Sequence, residues 1–320
     1  TNKIYLGLVL KTLKKKKISK YKIVLEPSKK NTAAAIITSS LLDEIKLNQP
    51  ILFLPSDHFM PSTKVFNGIL CSSLKNLQNK NIFIFGIKPK TPSSDYGYLL
   101  NKKIGKNVNK VVDFIEKPKK NLARKLIKKQ ALWNSGIILA RKDSIVNNAK
   151  IYQKNLFSYC LKSLNKVNQN KKIFILNKKS FDKIVPISFD NAVLEKIKEI
   201  NSVSLNVKWS DLGSWSEIFK VLKDQIKKST IRKNTFYRPW GFYKNYFKGE
   251  KFLLKEITIN RKSSISLQKH HHRSEHWTIT SGKPKITLGK KVFFKNTNES
   301  VFIPKGSIHR IENIYNKPVK

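Results

Sequence analysis

The residues best suited to chemistry lie in one short histidine-rich stretch, residues 268–277. It holds four of the six histidines, and a fifth, His309, follows a proline-glycine turn further along the chain. Side chains two apart on a strand point the same way, so Gln268 and His270 would share a face. A short turn after them lets Glu275 reach the same point. Neutral imidazole, an amide oxygen and a carboxylate together suit a borderline divalent ion such as zinc, with positions left open for a substrate.

The spacing of these residues follows two ordered motifs. The first consists of Gln268, His270, Glu275 and Gly282, and the second of Pro304, Gly306, His309 and Asn313. Together they resemble the two motifs of the cupin barrel, which implies zinc or another divalent ion on the first three residues of the first motif and on His309. The glycines that usually open both motifs are replaced here by Lys262 and Asn298. The alternative is a solvated histidine-rich hairpin that holds no metal.

The charge balance is strongly basic, with 65 Lys and Arg against 20 Asp and Glu and a formal net charge of +45. Such a balance is typical of proteins that bind nucleic acids or other polyanions. Nearly all of the positive charge is lysine, however, whereas base reading and bidentate phosphate contacts favour arginine. The lysines are also spread along the whole chain. We therefore predict no specific nucleic-acid partner, only non-specific attraction to polyanions at low salt.

Cysteine usage and hydropathy favour a cytoplasmic protein. The two cysteines, Cys71 and Cys160, cannot build a disulfide framework, and both fall in helical, partly apolar segments. Sparse cysteine fits a reducing compartment. No apolar run reaches the ~18 residues that a membrane-spanning helix requires, so no membrane partner is expected. The sequence leaves open whether the chain forms a homo-oligomer.

Two textures divide the chain. Residues 21–225 alternate between helical stretches and short runs of Ile, Leu, Val and Phe, such as 51–54 and 82–85, as expected of strands covered on both faces. This pattern predicts an α/β, Rossmann-like fold with a mostly parallel sheet. After residue 230, short strand-like pieces separated by glycines predict an all-β jelly-roll barrel. The predicted domains are residues 1–228 and residues 236–320.

Acidic residues follow three of the predicted strands. They are Asp57, Glu116 and Asp211. In parallel sheets, ligand-binding groups collect at the carboxyl ends of strands. Two carboxylates in one cleft can hold Mg²⁺, which completes its shell with phosphate oxygens and water and clamps a nucleoside triphosphate during attack by another oxyanion. Taken singly, each aspartate fits a turn or a helix cap better than a metal site.

Six short motifs occur in a fixed order along the first domain. They are residues 26–33 (EPSKKNTA), 54–58 (LPSDH), 96–98 (YGY), 114–118 (FIEKP), 133–136 (WNSG) and 209–215 (WSDLGSW). In this order they resemble the sugar-1-phosphate nucleotidyltransferases, and specifically mannose-1-phosphate guanylyltransferase. Residues 238–241 (RPWG) and 268–277 resemble the type II mannose-6-phosphate isomerase domain that is fused to that enzyme in bacteria.

The resemblance implies a role for each matched residue of the first domain. Asp57, Asp211 and Lys117 would be catalytic, because the two aspartates would bind Mg²⁺ and the lysine would offset charge on the phosphates. The other matched residues would bind substrates: Glu116, Gly97 and Asn134 the mannose phosphate, and Glu26, Asn31 and Thr32 the nucleotide side. A lysine ammonium is a compact charge suited to phosphate, and glycine lets a ligand approach the backbone.

The function implied by the resemblance is the supply of GDP-mannose. One domain would transfer GMP from GTP to mannose 1-phosphate, and the barrel would interconvert mannose 6-phosphate and fructose 6-phosphate. In the barrel, zinc would polarise the sugar oxygens, and His276 or a neighbouring carboxylate would move the proton between C1 and C2. Two alternatives stay open. One is a nucleotidyltransferase for another sugar 1-phosphate with a structural cupin, and the other is a non-catalytic sugar-nucleotide or polyanion-binding remnant.

The chain departs from the family pattern at both ends. The family's glycine-rich loop, which cradles the triphosphate with backbone N–H groups, belongs upstream of the point at which this chain starts. The closing strands of the barrel would lie beyond Lys320. The expectation is therefore a fragment of a longer reading frame that binds GTP poorly and has little guanylyltransferase activity by itself.

Overall fold

The computed structural model describes residues 1–78, 81–105, 108–164, 168–170, 172–213, 217–218, 221 and 234–320. These residues form two compact units. The first comprises Thr1–Ser56 and Met60–Trp209, and the second comprises Asp57–Phe59 and Ser210–Lys320. The end of the motif at 209–215, with Ser214 and Trp215, lies outside the described residues. Within the described residues, no helix combines the length and the apolar character needed to span a bilayer.

The first unit alternates helices and strands. Its α-helices are α1 (Leu6–Lys15), α2 (Asn31–Ser40), α3 (Thr63–Lys75), α4 (Lys120–Lys128), α5 (Lys142–Tyr152), α6 (Lys154–Leu164), α7 (Lys178–Phe181) and α8 (Phe189–Ala192), with 3₁₀ turns at Lys3–Tyr5 and Leu194–Lys196. Its strands are β1 (Ile23–Leu25), β2 (Pro50–Phe53), β3 (Ile82–Ile87), β4 (Tyr98–Lys103), β5 (Asn109–Ile115), β6 (Leu132–Arg141), β7 (Asn168–Asn170), β8 (Ile173–Ile175) and β9 (Ile200–Leu205).

Six of these strands form one mixed sheet in the order β2-β6-β3-β9-β5-β4. β3 and β9 run parallel, whereas the other pairings recorded in this sheet are antiparallel. The predicted α/β fold class is confirmed, but the expectation of a mostly parallel sheet is wrong. A continuous apolar run shows only that a strand is buried on both faces of its sheet. Antiparallel strands covered by helices are buried in the same way as parallel strands, so such a run does not indicate strand direction.

The core of the first unit lies on both faces of this sheet. All six residues of β3 are buried. Ile82 and Ile84 pack in one cluster with residues of α2 and α5, whereas Phe83 and Phe85 pack in a second cluster with residues of α3 and α4. Successive side chains of a strand point to opposite faces, so an unbroken apolar run is what a strand between two helical layers requires.

The second unit is built from strands over residues 234–320. They are β10 (Thr235–Arg238), β11 (Gly241–Lys248), β12 (Leu253–Ile259), β13 (Ser263–Ser264), β14 (Gln268–Lys269), β15 (Glu275–Thr278), β16 (Lys285–Leu288), β17 (Lys291–Phe294), β18 (Ser300–Ile303) and β19 (Ile308–Asn313). β10, β11 and β12 form one sheet, β13, β19, β16 and β17 form another that also takes β14, and β15 pairs with β18. The all-β texture predicted for this part of the chain is confirmed.

Two bends of the barrel use residues other than glycine in the left-handed conformation. Lys262 has a φ of 52° and Asn298 has a φ of 72°. These are the two positions at which the cupin motifs usually have glycine. The left-handed conformation costs an ordinary residue about 1–2 kcal/mol, and asparagine tolerates it better than lysine does. At both bends the backbone therefore takes a conformation that glycine would adopt at lower cost.

Candidate functional site

The sugar-phosphate residues expected in the first unit begin with Glu116, which follows β5 directly. Its side chain is 17% exposed, and its Oε1 lies 3.6 Å from Lys117 Nζ. Gly97 leaves the space that this carboxylate occupies, because a Cβ atom at Gly97 would lie 2.5 Å from Glu116 Oε2. Gly97, Glu116 and Lys117 therefore meet at one place.

Asn134, in β6, makes three hydrogen bonds, one of which joins it to Gly97. Its backbone N–H donates to the Gly97 carbonyl at 2.8 Å. Its Oδ1 accepts from the Gly136 N–H at 2.9 Å, and its Nδ2 donates to Asp190 Oδ1 at 2.7 Å. Asp190 lies in the first turn of α8, which Ser188 caps. The amide of Asn134 thus links Gly97 to a carboxylate that the motifs did not include.

The two carboxylates of this cluster carry raised pKa values. Burial raises the pKa of Glu116, and the Asp190 carboxylate raises it further against the opposing effect of the Lys117 ammonium. Burial also raises the pKa of Asp190, and the hydrogen bond from Asn134 opposes that shift. Carboxylate oxygens are acceptors for hydroxyl groups, which a sugar supplies.

The residues expected on the nucleotide side make contacts with the protein itself. Asn31 has a φ of 67°, and its Oδ1 accepts from the Thr32 N–H at 2.8 Å. Thr32 Oγ1 accepts from the Phe189 N–H at 2.9 Å, which ties the start of α2 to the start of α8. Glu26 Oε1 is buried without a hydrogen-bond partner in the described part of the chain, and burial raises the pKa of Glu26. A nucleotide-binding role for these three residues stays a prediction.

The loops that carry Asp57 and Asp211 are joined within the second unit. The Phe59 N–H donates to the Ser210 carbonyl at 2.8 Å, and the Ser210 N–H donates to the Phe59 carbonyl at 3.1 Å. Burial lowers the pKa of His58, and the nearby Asp57 and Asp211 carboxylates oppose this shift without reversing it. Both aspartates therefore lie within electrostatic reach of one imidazole. Binding of Mg²⁺ by this pair stays a prediction.

His270, Glu275 and His309 converge in the barrel, with one potential ligand atom from each lying within 4.8 Å of the others. His270 Nε2 is 3.3 Å from Glu275 Oε1, and His309 Nε2 is 3.8 Å from Glu275 Oε2. Gln268 stands opposite His309 in the antiparallel pairing of β14 with β19, so the two side chains share a face. The structure therefore brings three of the expected ligands together and places the fourth on the same side.

The donor set of this cluster fits a divalent cation. Hydrogen bonding to the Ser307 carbonyl, 2.9 Å from His309 Nδ1, leaves the lone pair on Nε2, which is buried and lacks a hydrogen-bond partner among the described residues. The guanidinium of Arg273 already stands beside the other two side chains. Its Nη2 lies 2.7 Å from His270 Nε2, and its Nε donates to Glu275 Oε1 at 2.9 Å. A cation from the protein thus contacts the same atoms that would hold a metal ion.

The protonation states of the cluster also suit a metal ion. Burial raises the pKa of Glu275, but hydrogen bonds from Arg273 and from Trp277 outweigh it and leave the pKa lowered. Trp277 Nε1 donates to Glu275 Oε2 at 2.9 Å, and its ring packs edge-on against His309 at 5.4 Å between centroids. Burial and the Arg273 guanidinium lower the pKa of His270. An ionised carboxylate and a neutral imidazole are the forms that bind metal.

The structure does not bring His276 to this cluster. His276 lies between Glu275 and Trp277 in β15, so its side chain points to the opposite face of the strand. The side chain is exposed, and its ring lies 6.5 Å from that of Phe302. The sequence left His276 and a neighbouring carboxylate open as the group that moves the proton, and this choice stays a prediction.

Three residues of these sites were not predicted from the sequence. They are Asp190, Arg273 and Trp277. Asp190 follows the capping Ser188, and an acidic residue in that position is typical of any helix start. Arg273 and Trp277 stand inside the histidine-rich stretch, but the spacing of ligands along a strand does not say which neighbours donate hydrogen bonds to them. Only the fold shows these contacts.

The fold and these sites define a nucleotidyltransferase domain joined to a cupin domain. The model of the nucleotidyl transferase family matches residues 4–228, and the model described as mannose-6-phosphate isomerase C-terminal matches residues 225–320. The chain therefore belongs to the nucleotidyl transferase family, in the bifunctional group that joins this domain to a mannose-6-phosphate isomerase domain. The family resemblance drawn from the ordered motifs is confirmed.

Known proteins resemble the chain over most of its length. It is 26% identical to alginate biosynthesis protein AlgA of Pseudomonas fluorescens over 98% of the chain and 79% of that protein. It is 28% identical to mannose-1-phosphate guanylyltransferase of Salmonella montevideo over 96% of the chain and 80% of that protein. Among solved structures, mannose-6-phosphate isomerase from Helicobacter pylori matches with a TM-score of 0.60 and 25% identity, over 66% of this chain and 82% of that one.

Proposed function

We propose that the chain serves two reactions of hexose phosphates. The nucleotidyltransferase domain transfers GMP from GTP to mannose 1-phosphate, and the barrel interconverts mannose 6-phosphate and fructose 6-phosphate. Membership of the bifunctional family supports both reactions. The observation that carries the proposal is the barrel cluster, in which the buried His309 Nε2 has no hydrogen-bond partner in the described structure and stands beside His270 and Glu275.

In the barrel, zinc or another divalent ion would be held by His270, Glu275 and His309, with Gln268 on the same face. When bound, such an ion supplies a Lewis acid that polarises the oxygen atoms of the sugar. The surrounding side chains orient the ligands, since Trp277 donates to Glu275 and the Ser307 carbonyl sets the tautomer of His309.

The isomerase proposal is tested by measuring fructose 6-phosphate formation from mannose 6-phosphate together with the metal content of the purified protein. We expect His309→Ala to lower both the bound metal and the turnover by more than about tenfold, because a ligand is removed. His271→Ala is the matched control, since His271 is an exposed histidine of the same stretch. Unchanged metal content in His309→Ala would remove the site, and a wild-type protein that is inactive with added Zn²⁺, Co²⁺, Mn²⁺ and Mg²⁺ would remove the activity.

In the first unit, Glu116, Asn134 and Asp190 are proposed to bind the hydroxyl groups of mannose 1-phosphate. The hydrogen bond from Asn134 to Asp190, the electrostatic coupling of Asp190 with Glu116 and the space left by Gly97 support this role. The Lys117 ammonium, 62% exposed at the side chain, would neutralise the phosphate. In the second unit, which contains both residues, Asp57 and Asp211 are proposed to hold Mg²⁺.

Isothermal titration with mannose 1-phosphate tests the sugar site. We expect Glu116→Ala to weaken binding by roughly tenfold, because one charged hydrogen-bond acceptor is lost. Asp43→Asn serves as the control, since Asp43 is an exposed acid of the same unit. Equal affinity of Glu116→Ala and the wild type would exclude Glu116, and tighter binding of glucose 1-phosphate would assign the domain to another sugar.

We also propose a cytoplasmic location for both reactions. The unpaired thiols of Cys71 and Cys160 support it, because free cysteines are typical of a reducing compartment. Burial raises the pKa of the Cys160 thiol to about 11, so this thiol is expected to be inert.

A further inference from the structure

The sheet formed by β10, β11 and β12 turns one of its faces into the barrel. Ile257 and Ile259, on β12, pack with the core of the barrel. Lys255 lies on the same face as these two residues, because side chains two apart on a strand point the same way. Its cross-strand partner on β11 is Asn245, and the partner of Ile257 is Tyr243. This face therefore combines a core-forming part with a polar part.

Lys255 is a cation of this inner face that interacts electrostatically with the cluster of His270, Glu275 and His309. Its charge acts on both His270 and Glu275. Its Nζ lies 5.7 Å from the centre of the Tyr243 ring. Within the described part of the barrel, no carboxylate forms an ion pair with this ammonium, whereas Arg273 is paired with Glu275. Burial lowers the pKa of Lys255, which reflects the cost of keeping an ammonium out of water.

Two further polar groups complete the inner face. Asn245 Oδ1 is buried and has no hydrogen-bond partner among the described residues. The Arg238 guanidinium lies 5.6 Å from the same Tyr243 ring that Lys255 approaches. Arg238 is exposed, whereas Lys255 is partly buried, so the positive charge runs from the rim of the sheet towards the cluster. A buried acceptor without a donor next to an unpaired ammonium indicates a ligand with both hydroxyl groups and negative charge.

We propose that Lys255, Asn245 and Arg238 form a subsite that binds the phosphorylated end of an open-chain hexose phosphate. The inference rests on the proposed isomerase function, since the reacting end of the sugar is assigned to the His270–Glu275–His309 cluster. Lys255 and Arg238 bind the phosphate dianion, and Asn245 Oδ1 accepts a hydrogen bond from a sugar hydroxyl. A phosphate dianion carries two negative charges, which match the two cations Lys255 and Arg238. A sugar oxygen at the reacting carbons would carry a single charge and would need only one cation.

Direct binding tests this subsite. Mannose 6-phosphate, mannose and inorganic phosphate are titrated by calorimetry into the wild type, Lys255→Gln and Lys244→Gln. Lys244 is the matched control, because it precedes Asn245 in β11, faces the other side of the sheet and lies over the Phe242 ring at 5.1 Å. We expect Lys255→Gln to weaken binding of mannose 6-phosphate and phosphate by roughly tenfold to a hundredfold and to leave mannose binding and metal content unchanged.

A second variant distinguishes loss of the subsite from loss of folding. Asn245→Asp keeps the volume of the side chain and places a carboxylate opposite Lys255, so it should occupy the ammonium and weaken binding of mannose 6-phosphate as well. Thermal unfolding of each variant is compared with that of the wild type. The subsite is overturned if the wild type binds no mannose 6-phosphate, if folded Lys255→Gln binds it as tightly as the wild type, or if Lys244→Gln loses as much affinity.

Turnover measured in parallel separates this subsite from the isomerase proposal. Binding that depends on Lys255 without formation of fructose 6-phosphate would support the subsite and reject the isomerase. Turnover with an unchanged KM in Lys255→Gln would support the isomerase and reject the subsite. A KM raised at least about tenfold, with a smaller change in kcat, would support both, because a binding group acts mainly before the chemical step.

Discussion

Glu116 in the first unit and Glu275 in the barrel are both largely buried carboxylates, yet their surroundings shift their pKa values in opposite directions. Their side chains are 17% and 13% exposed. Burial raises the pKa of Glu116, and the like charge of Asp190 adds to the shift. Burial acts in the same direction on Glu275, but hydrogen bonds from Arg273 and Trp277 outweigh it. Burial alone does not decide how a carboxylate ionises, because the number of donors around it decides the sign.

This difference matches the two ligands proposed for the two regions. A carboxylate kept ionised beside the His270 imidazole, whose pKa is lowered, attracts a cation, as the contacts of Arg273 with His270 and Glu275 already illustrate. A pair of carboxylates with raised pKa values, close to each other and to the Asn134 amide, suits uncharged hydroxyl groups better. The same residue type is therefore proposed to serve metal binding in one region and sugar binding in the other.

The difference between Glu275 and Glu116 is tested most strongly by removing a hydrogen-bond donor that holds Glu275. We expect Trp277→Phe to lower zinc affinity by about 10–100-fold, because the indole N–H bond to Glu275 is lost while the ring remains against His309. The measurement is competition for zinc with a chromophoric chelator. Trp240→Phe is the control, because Trp240 packs on the barrel core. Equal zinc affinity of Trp277→Phe and the wild type would show that the donors around Glu275 are not needed.

The corresponding substitution in the first unit displaces the Glu116 side chain. In Gly97→Ala, the new Cβ atom would lie 2.5 Å from Glu116 Oε2, so the carboxylate or the backbone must move. We expect a loss of about 1–3 kcal/mol in the free energy of unfolding and weaker binding of mannose 1-phosphate, measured by denaturant titration and calorimetry. Gly68→Ala is the control, since nothing lies within 4 Å of its Cβ position in α3. A fully stable Gly97→Ala protein with normal sugar binding would contradict the tight placement of Glu116.

The sign of the Glu116 shift can be tested by its pH dependence. Because the pKa of Glu116 is raised in the folded protein, the folded state binds the proton more tightly than the unfolded state, and wild-type stability falls as pH rises through this pKa. Glu116→Gln does not titrate. We expect it to be more stable than the wild type at pH 7, with the advantage shrinking as pH falls. Thermal unfolding from pH 4 to pH 8 measures this, and an advantage that grows at low pH would reverse the assigned sign.

The smallest effect concerns the scaffold that holds the barrel cluster. Lys262 adopts a φ of 52°, so Lys262→Gly should raise the free energy of unfolding by about 0.5–1 kcal/mol without changing zinc affinity. Asn298→Gly should raise the free energy of unfolding by less, because asparagine tolerates its φ of 72° better than lysine tolerates a similar angle. Chemical denaturation of both variants provides the comparison. A destabilised Lys262→Gly protein would mean that the lysine side chain contributes more than its backbone strain costs.

The sequence by itself determined the class of the protein and predicted most of the residues of the two candidate sites. Ordered motifs placed Gly97, Glu116 and Asn134 in one domain, and the spacing of His270 and Glu275 predicted a cation site in the other. Such spacing is informative because strand geometry fixes which side chains share a face. The pattern of apolar and helical segments likewise predicted one α/β part and one all-β part. It does so because strands buried on one face and strands buried on two faces have different spacings of apolar residues.

Only the tertiary structure decided the strand directions, the neighbours of each candidate ligand and the position of His276 outside the cluster. Strand direction depends on how connections return to a sheet, and apolar runs do not record it. Asp190 reaches Asn134, 56 positions earlier in the chain, by a contact that no local pattern encodes. The charges of Lys255 and Glu275, which lie on different strands, likewise act on each other. Hydrogen bonds and electrostatic interactions act through space, so the protonation and orientation of these groups are set by residues that the folded chain brings together.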